Sequence, residues 1–351
     1  TGVQKYMIID GQQRMTTLTL LLLALRDYAI KNPSDTTINA RRIDNMLLKN
    51  EYETGDERYK LLLTETDRDI LVCLVEDKPI PEGTSSRLLS NYKFFLDKIA
   101  EKELKPAEVY ESIGKLQIVN ITLDRTMDDA QAIFESLNST GKELSESDLI
   151  RNYVLMGLEP IEQTYVYEHF WRPMELLFVY ETHDSVMDRF FRDYLTMKLT
   201  RIPKQDRVYE EFKLYHLNCE FGTVRELCQD LLTYAKYYTD MVFMRSADSE
   251  LKSLYTDINA LRMEVSFPFL LKVHNDKEEG IITDVELKEI IRLCISYVFR
   301  RSICDIPTNS LNKTFATLRN EIKQSDYLNS IKAFFVLRDD YKQFPNDDKF
   351  A

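Results

Sequence analysis

Hydrophobic positions along the chain fall into distinct regimes. Gln4 to Asp10 (QKYMIID) is a short apolar run closed by Gly11, the pattern of a buried strand. From Gln12 to Ile30, Met15, Leu18, Leu22, Leu25 and Ala29 recur at helical spacing, while Leu20, Leu21 and Leu23 make the other side apolar as well. A helix buried nearly all round, central to its domain, is predicted there. Between Lys31 and Gly114 short helical patterns alternate with polar breaks such as Asn32-Pro33-Ser34-Asp35 and Pro79-Ile80-Pro81-Glu82-Gly83. Helices are predicted over Asp67 to Val75, Ser86 to Glu103 and Ala107 to Gly114, and a strand over Arg58 to Thr64. The β-branched, nearly alternating stretch Leu116 to Leu123 (LQIVNITL) reads as a further strand, the expected partner of Met7 to Ile9. After Gly157 the spacing is helical throughout, from Glu162 to Phe178 onward through Ser249 to Val273, Asp284 to Ser302, Ser310 to Lys323 and Ser325 to Leu337. No fixed repeat period supports a solenoid.

Composition sharpens this picture. A chain of 351 residues suggests two domains, expected at 1–157 and 158–351. Nine Gly and ten Pro are together less than half the usual share of roughly 12%, too few for a many-stranded sandwich or barrel. The net charge of -12 rules out a chain-wide positive field, so any nucleic-acid contact must be local. Five Cys without a C-x-x-C pair fit reduced thiols and a cytoplasmic location, and four scattered His give no zinc spacing. The longest apolar run, Leu18 to Leu25, is far short of the roughly 20 residues of a membrane span, so no membrane partner is expected. Thr1 to Tyr6 reads as a strand already under way, the pattern of a piece of a longer chain.

Two constellations could carry chemistry. Asp10-Gly11-Gln12-Gln13-Arg14 sits where an apolar strand turns through a Gly into the buried helix. Such a helix start offers unpaired N–H groups and a positive dipole end to phosphate, and Arg14 would add a bidentate contact. Gln12 and Gln13 would hydrogen-bond a base or sugar, Thr16 lies one turn on, and Asp10 would hold Mg or orient water. Equally compatible is a plain helix cap, with Asp10 capping and Arg14 paired to a carboxylate. The second constellation is a helix, a polar loop and a second helix. Ala130, Ile133, Phe134 and Leu137 form an apolar face, and Ser145 is the N-cap of the second helix with Asp148 three residues on. Between them, Glu135, Asn138, Gly141 and Lys142 exceed what capping requires and would close a phosphate pocket if the loop folds against Asp10 to Arg14.

The stretches YMIIDGQQRMTTLTLLLLAL, IFESLNSTGKELSESDLIRNYVL and RRSICDIPTNSLNKTFATL closely resemble the family typified by the GmrSD type IV restriction enzymes. The resemblance implies a mainly α chain: a small α+β core of ParB/sulfiredoxin type with helical insertions, then an all-α domain. It further implies an anti-phage defence protein whose DGQQR region binds and hydrolyses a nucleoside triphosphate, GTP or ATP with Mg, without haem, flavin or zinc. Asp10 and Arg14 would then be catalytic, and Gly11, Gln12, Gln13, Thr16, Glu135, Asn138, Gly141 and Lys142 nucleotide-binding. Modified foreign DNA would be met by the full-length protein, and cut by an HNH nuclease domain or subunit expected after Phe344-Pro345-Asn346-Asp347-Asp348. A homodimer is left open. The alternative is a non-catalytic helical module that binds DNA or protein and relays recognition to a separate nuclease.

For DNA contact the densest basic stretch carries Arg189, Arg192, Lys198, Arg201, Lys204 and Arg207, with Arg300, Arg301, Lys313, Arg319 and Lys323 comparable. Phe190, Phe191 and Tyr194 interleave with the first group at a spacing expected of core. Trp171, a ring on which a flipped base would stack, is expected to pack between helices.

Overall fold

The computed structural model describes residues 3–63, 65–81, 84, 86–123, 132–133, 144–178, 185–219, 221–337 and 343–350. The chain is mainly helical and divides into two compact units, Thr1–Leu137 and Asn138–Ala351. In the first unit, α1 (Gln12–Lys31) packs against α2 (Ala40–Ile43), α4 (Arg87–Ala100) and α5 (Pro106–Ile113). Leu20, Leu22, Leu23, Ala24, Leu25 and Ala29 are buried, so the all-round apolar pattern does make the central helix. Buried among them is a charge. Arg26 is 2% exposed and donates to the Leu74 and Val75 carbonyls, each at 2.8 Å, at the C-terminal end of α3 (Glu65–Val75), and to Asp27 and Asp44. A guanidinium there supplies fixed donors to the last carbonyls of α3 while the two carboxylates balance its charge.

The expected strands differ. Among the described residues no β-strand forms; residues 3–8 and 116–123 lack regular structure, and the Arg58 to Thr64 stretch contributes only an antiparallel bridge between Lys49 and Tyr59. The physical reason is exposure. Ile118 is 70% exposed and Val119 85%, so their backbone can be hydrated and their β-branched side chains gain nothing from a pleated surface without a paired neighbour.

The second unit is a helical assembly around an aromatic-rich core. It runs from α6 (Glu146–Met156) through α7 (Pro160–Val166), α8 (Arg172–Phe178), α9 (Ser185–Leu199), α10 (Val208–Asn218) and α11 (Val224–Val242). It continues with α12 (Ser249–Ala260), α13 (Phe267–Glu278), α14 (Asp284–Ile303), α15 (Leu311–Leu318) and α16 (Tyr327–Val336). Phe190, Phe191, Tyr194, Phe212, Tyr238, Phe267 and Tyr297 are fully buried in one cluster. The division between units falls ahead of the break expected at Gly157, because Ile150, Val154 and Leu155 of α6 belong to this second core. Ser145 caps α6 as expected, its hydroxyl accepting from the Asp148 N–H at 3.2 Å. The single helix expected over Ser249 to Val273 is two, since Arg262 takes a left-handed φ of 49° and Pro268 opens α13 in its first turn.

Candidate functional site

The first turn of α1 is built around Gly11. Its φ of 85° and ψ of 9° are left-handed, a conformation glycine adopts without strain, and it turns the chain from Asp10 directly into the helix. Among the described residues no side chain caps this helix, and no acidic residue lies in its first turn. The first backbone bond of α1 runs from the Met15 N–H to the Gly11 carbonyl, 2.9 Å, so the N–H groups of Gln12, Gln13 and Arg14 precede the helical ladder. They carry the positive end of the dipole outward.

The side chains then fold back over the turn. Arg14 Nη2 donates to Asp10 Oδ2 at 2.8 Å in a solvent-exposed pair, and the guanidinium lies beside Gly11, where an added Cβ would stand 3.6 Å from Nη2. Such surface pairs are worth about 0–1 kcal/mol, so an incoming anion could take Arg14 from Asp10 at small cost. Gln12 Nε2 donates to the Ile8 carbonyl at 2.7 Å and pins the entering chain, which commits its amide to the protein. Thr16 Oγ1 donates to the Gln12 carbonyl at 2.9 Å, and Gln13 is exposed. The two readings of the motif meet here: Arg14 does pair with a carboxylate, and that carboxylate is Asp10, which leaves the cap position open.

Mg is a less complete fit. Among the described residues no group of three or more His, Cys, Asp or Glu is placed to hold a metal ion. Asp10 alone would suit an Mg ion held mainly by phosphate oxygens and water. Glu135, Asn138, Gly141 and Lys142 lie outside the described residues, so the closing loop adds no geometry.

Residues 1–155 match the GmrSD restriction endonuclease, N-terminal domain, family model. No curated protein matches the chain. The GmrSD match points to a type IV restriction system. It includes α6, whose apolar face is buried in the second unit.

The basic stretch of the second unit is largely spent on the protein itself. Lys198 pairs with Asp230 at 2.9 Å beneath the Tyr234 ring, and Arg201 grips Glu211 through both nitrogens. Arg192 donates to the Pro203 carbonyl at 3.0 Å and Arg207 pairs with Glu210 at 3.3 Å, while Arg189 and Lys204 are exposed. Phe190, Phe191 and Tyr194 are core. Trp171 is buried against Phe191 and donates to Glu175 at 2.9 Å, so its ring is closed to a base. Arg300 pairs with Asp347 at 2.7 Å, and Arg319 donates to the Met197 carbonyl. Arg301, expected among the DNA contacts, is fully buried, and the sequence reading missed the buried Arg26. For Arg26 the available signal was its place directly after the apolar run Leu20 to Leu25, on a helix buried nearly all round.

No helix among the described residues is long and apolar enough to cross a membrane.

Proposed function

We propose that this chain is the nucleotide-binding regulatory part of a modification-dependent restriction protein, and that the turn Asp10 to Arg14 holds the phosphates of GTP or ATP. The observation that carries the reading is the uncapped first turn of α1, with left-handed Gly11 and a surface Arg14 held only by Asp10. Backbone N–H groups at a helix start suit phosphate oxygens, and Arg14 would exchange one carboxylate for a doubly charged partner. Asp10, freed, would orient water or share a phosphate-held Mg. Gln13 and Thr16 face the same turn, and Glu135, Asn138, Gly141 and Lys142 would close over the ligand. The full-length protein would act in the cytoplasm on modified foreign DNA, through a nuclease domain or subunit and as a monomer or homodimer. Arg189 and Lys204, the exposed members of the basic stretch, are its weaker DNA-contact candidates.

Ligand that binds only the folded state stabilises it by about 2.7 kcal/mol at a hundred times Kd, so GTP or ATP with Mg should raise the melting temperature. The increase should vanish in Arg14→Ala. Equal melting of wild type and Arg14→Ala across millimolar nucleotide would sink the reading.

A second reading, a nucleotide- or DNA-binding module without turnover, is favoured by one observation: Asp10 is tied to Arg14 and has no companion metal ligands among the described residues. Phosphate release separates the two. Turnover requires release above an Asp10→Ala control, whereas the module binds nucleotide and releases none.

A further inference from the structure

The late stretch RRSICDIPTNSLNKTFATL plays no part in the α1 turn, yet it builds a cavity of its own. At the junction of α14 and α15 lies an open-mouthed pocket of about 310 Å³, lined among the described residues by Pro307, Asn309, Ser310 and Lys313. That volume lies at the lower end of the roughly 300–1,000 Å³ typical of small-molecule sites. Its floor is held from beneath. Arg301, fully buried, donates to the Pro307 carbonyl at 2.7 Å and to Ser310 Oγ at 3.2 Å, while Thr314 Oγ1 donates to the Ser310 carbonyl at 2.8 Å. A buried guanidinium needs hydrogen-bond acceptors, and the Pro307 carbonyl and Ser310 hydroxyl supply two of them, which ties this turn to the core.

The pocket's lining is mainly apolar, with two uncommitted polar side chains at its rim. Lys313 and Asn309 are exposed, and among the described residues neither side chain has an ion pair or hydrogen bond within the protein. Lys313 lies in the first turn of α15, which has no acidic residue in that turn and no side-chain cap among the described residues. A lysine, an amide donor and a rigid apolar proline ring around one small cavity recognise a charged oxyanion carried on a flat or apolar body.

We propose that this pocket is a second anion site, distinct from the α1 turn, and that it takes a phosphate ester of nucleotide size: the phosphate on Lys313 and Asn309, the remainder against Pro307. The site stands independently of the reading of Asp10 to Arg14. It is tested by calorimetric titration of the full chain carrying Arg14→Ala, so that the α1 turn does not contribute. AMP and inorganic phosphate are the probes, with a single-stranded oligonucleotide lacking terminal phosphate as the separate arm. The expected result is AMP binding that weakens about tenfold in Lys313→Ala, the loss of one charge-assisted hydrogen bond, and is largely kept in Lys313→Arg. Both positions are exposed, and unchanged melting of the variants checks that the fold is intact. The proposal is overturned if Arg14→Ala protein binds neither AMP nor phosphate, if Lys313→Ala binds AMP as well as its parent, or if only the oligonucleotide depends on Lys313.

Discussion

Single residues in this protein are decided by what surrounds them, and three allow a clear prediction. Gly11 holds a left-handed φ that costs an L side chain about 1–2 kcal/mol, so Gly11→Ala should lower the melting temperature even though its Cβ has room. An unchanged melting temperature would mean that the turn relaxes. His274 is buried, with its Nε2 3.1 Å from the Tyr255 hydroxyl and its ring stacked on Tyr237; burial lowers its pKa to about 4. The unfolded imidazole protonates near 6.5 and the folded one does not, so this site's contribution is complete above pH 6.5 and is lost as pH falls toward 4. Asp193 runs the other way. Burial beside Arg192 and Tyr238 raises its carboxyl to about 7, so folding is penalised progressively as pH rises from about 4 to 7. The stability gap between wild type and His274→Gln should therefore narrow on acidification from pH 7 to 4.5, and the gap to Asp193→Asn should narrow in the opposite direction. Chemical denaturation across that range checks both, and parallel curves would contradict them. Neither shift was visible in the sequence, because His274 and Asp193 carry no local mark of the helices packed over them.

At the level of elements, much was legible. The buried character of α1, the breaks between helices and the cap at Ser145 follow from spacing and short-range hydrogen bonding, both of which are written within a few residues. Two further helices open with full capping boxes, Thr223 with Glu226 on α11 and Thr283 with Glu286 on α14. Thr283→Ala should cost about 1 kcal/mol, read as a drop in denaturation midpoint at unchanged slope. Illegible was the fate of the strand-like stretches. Leu116 to Leu123 has the composition of a strand, but a strand needs a partner's N–H and C=O groups, and that requirement lies outside the segment. The α12–α13 break went unread for a simpler reason: the apolar spacing continues through Pro268, whose ring suits a helix start better than a helix middle.

Across the whole molecule, charge was legible only as a sum. The net charge of -12 limits DNA contact to local faces, and the structure narrows them further by spending Lys198, Arg201 and Arg207 on Asp230, Glu211 and Glu210. Arg26 shows the same effect in the first unit, where a cation of α1 is bound to the end of α3 and to Asp44. Removing one partner of such a buried network costs about 3–5 kcal/mol. Arg26→Met should accordingly speed hydrogen exchange throughout α1 and α3, and full protection of both helices in the variant would contradict the assignment. The sequence by itself determined the helical class, the central helix of the first unit, and the glycine turn that leads into it, because periodicity, capping and motif are local properties. Only the tertiary structure decided which cations are buried or paired, that α6 packs into the second core, and that Pro307, Asn309, Ser310 and Lys313 enclose one pocket. Those outcomes depend on desolvation and on packing around each group, and in pairs such as Lys198 with Asp230 or Arg26 with Leu74 and Val75 the partners lie far apart along the chain.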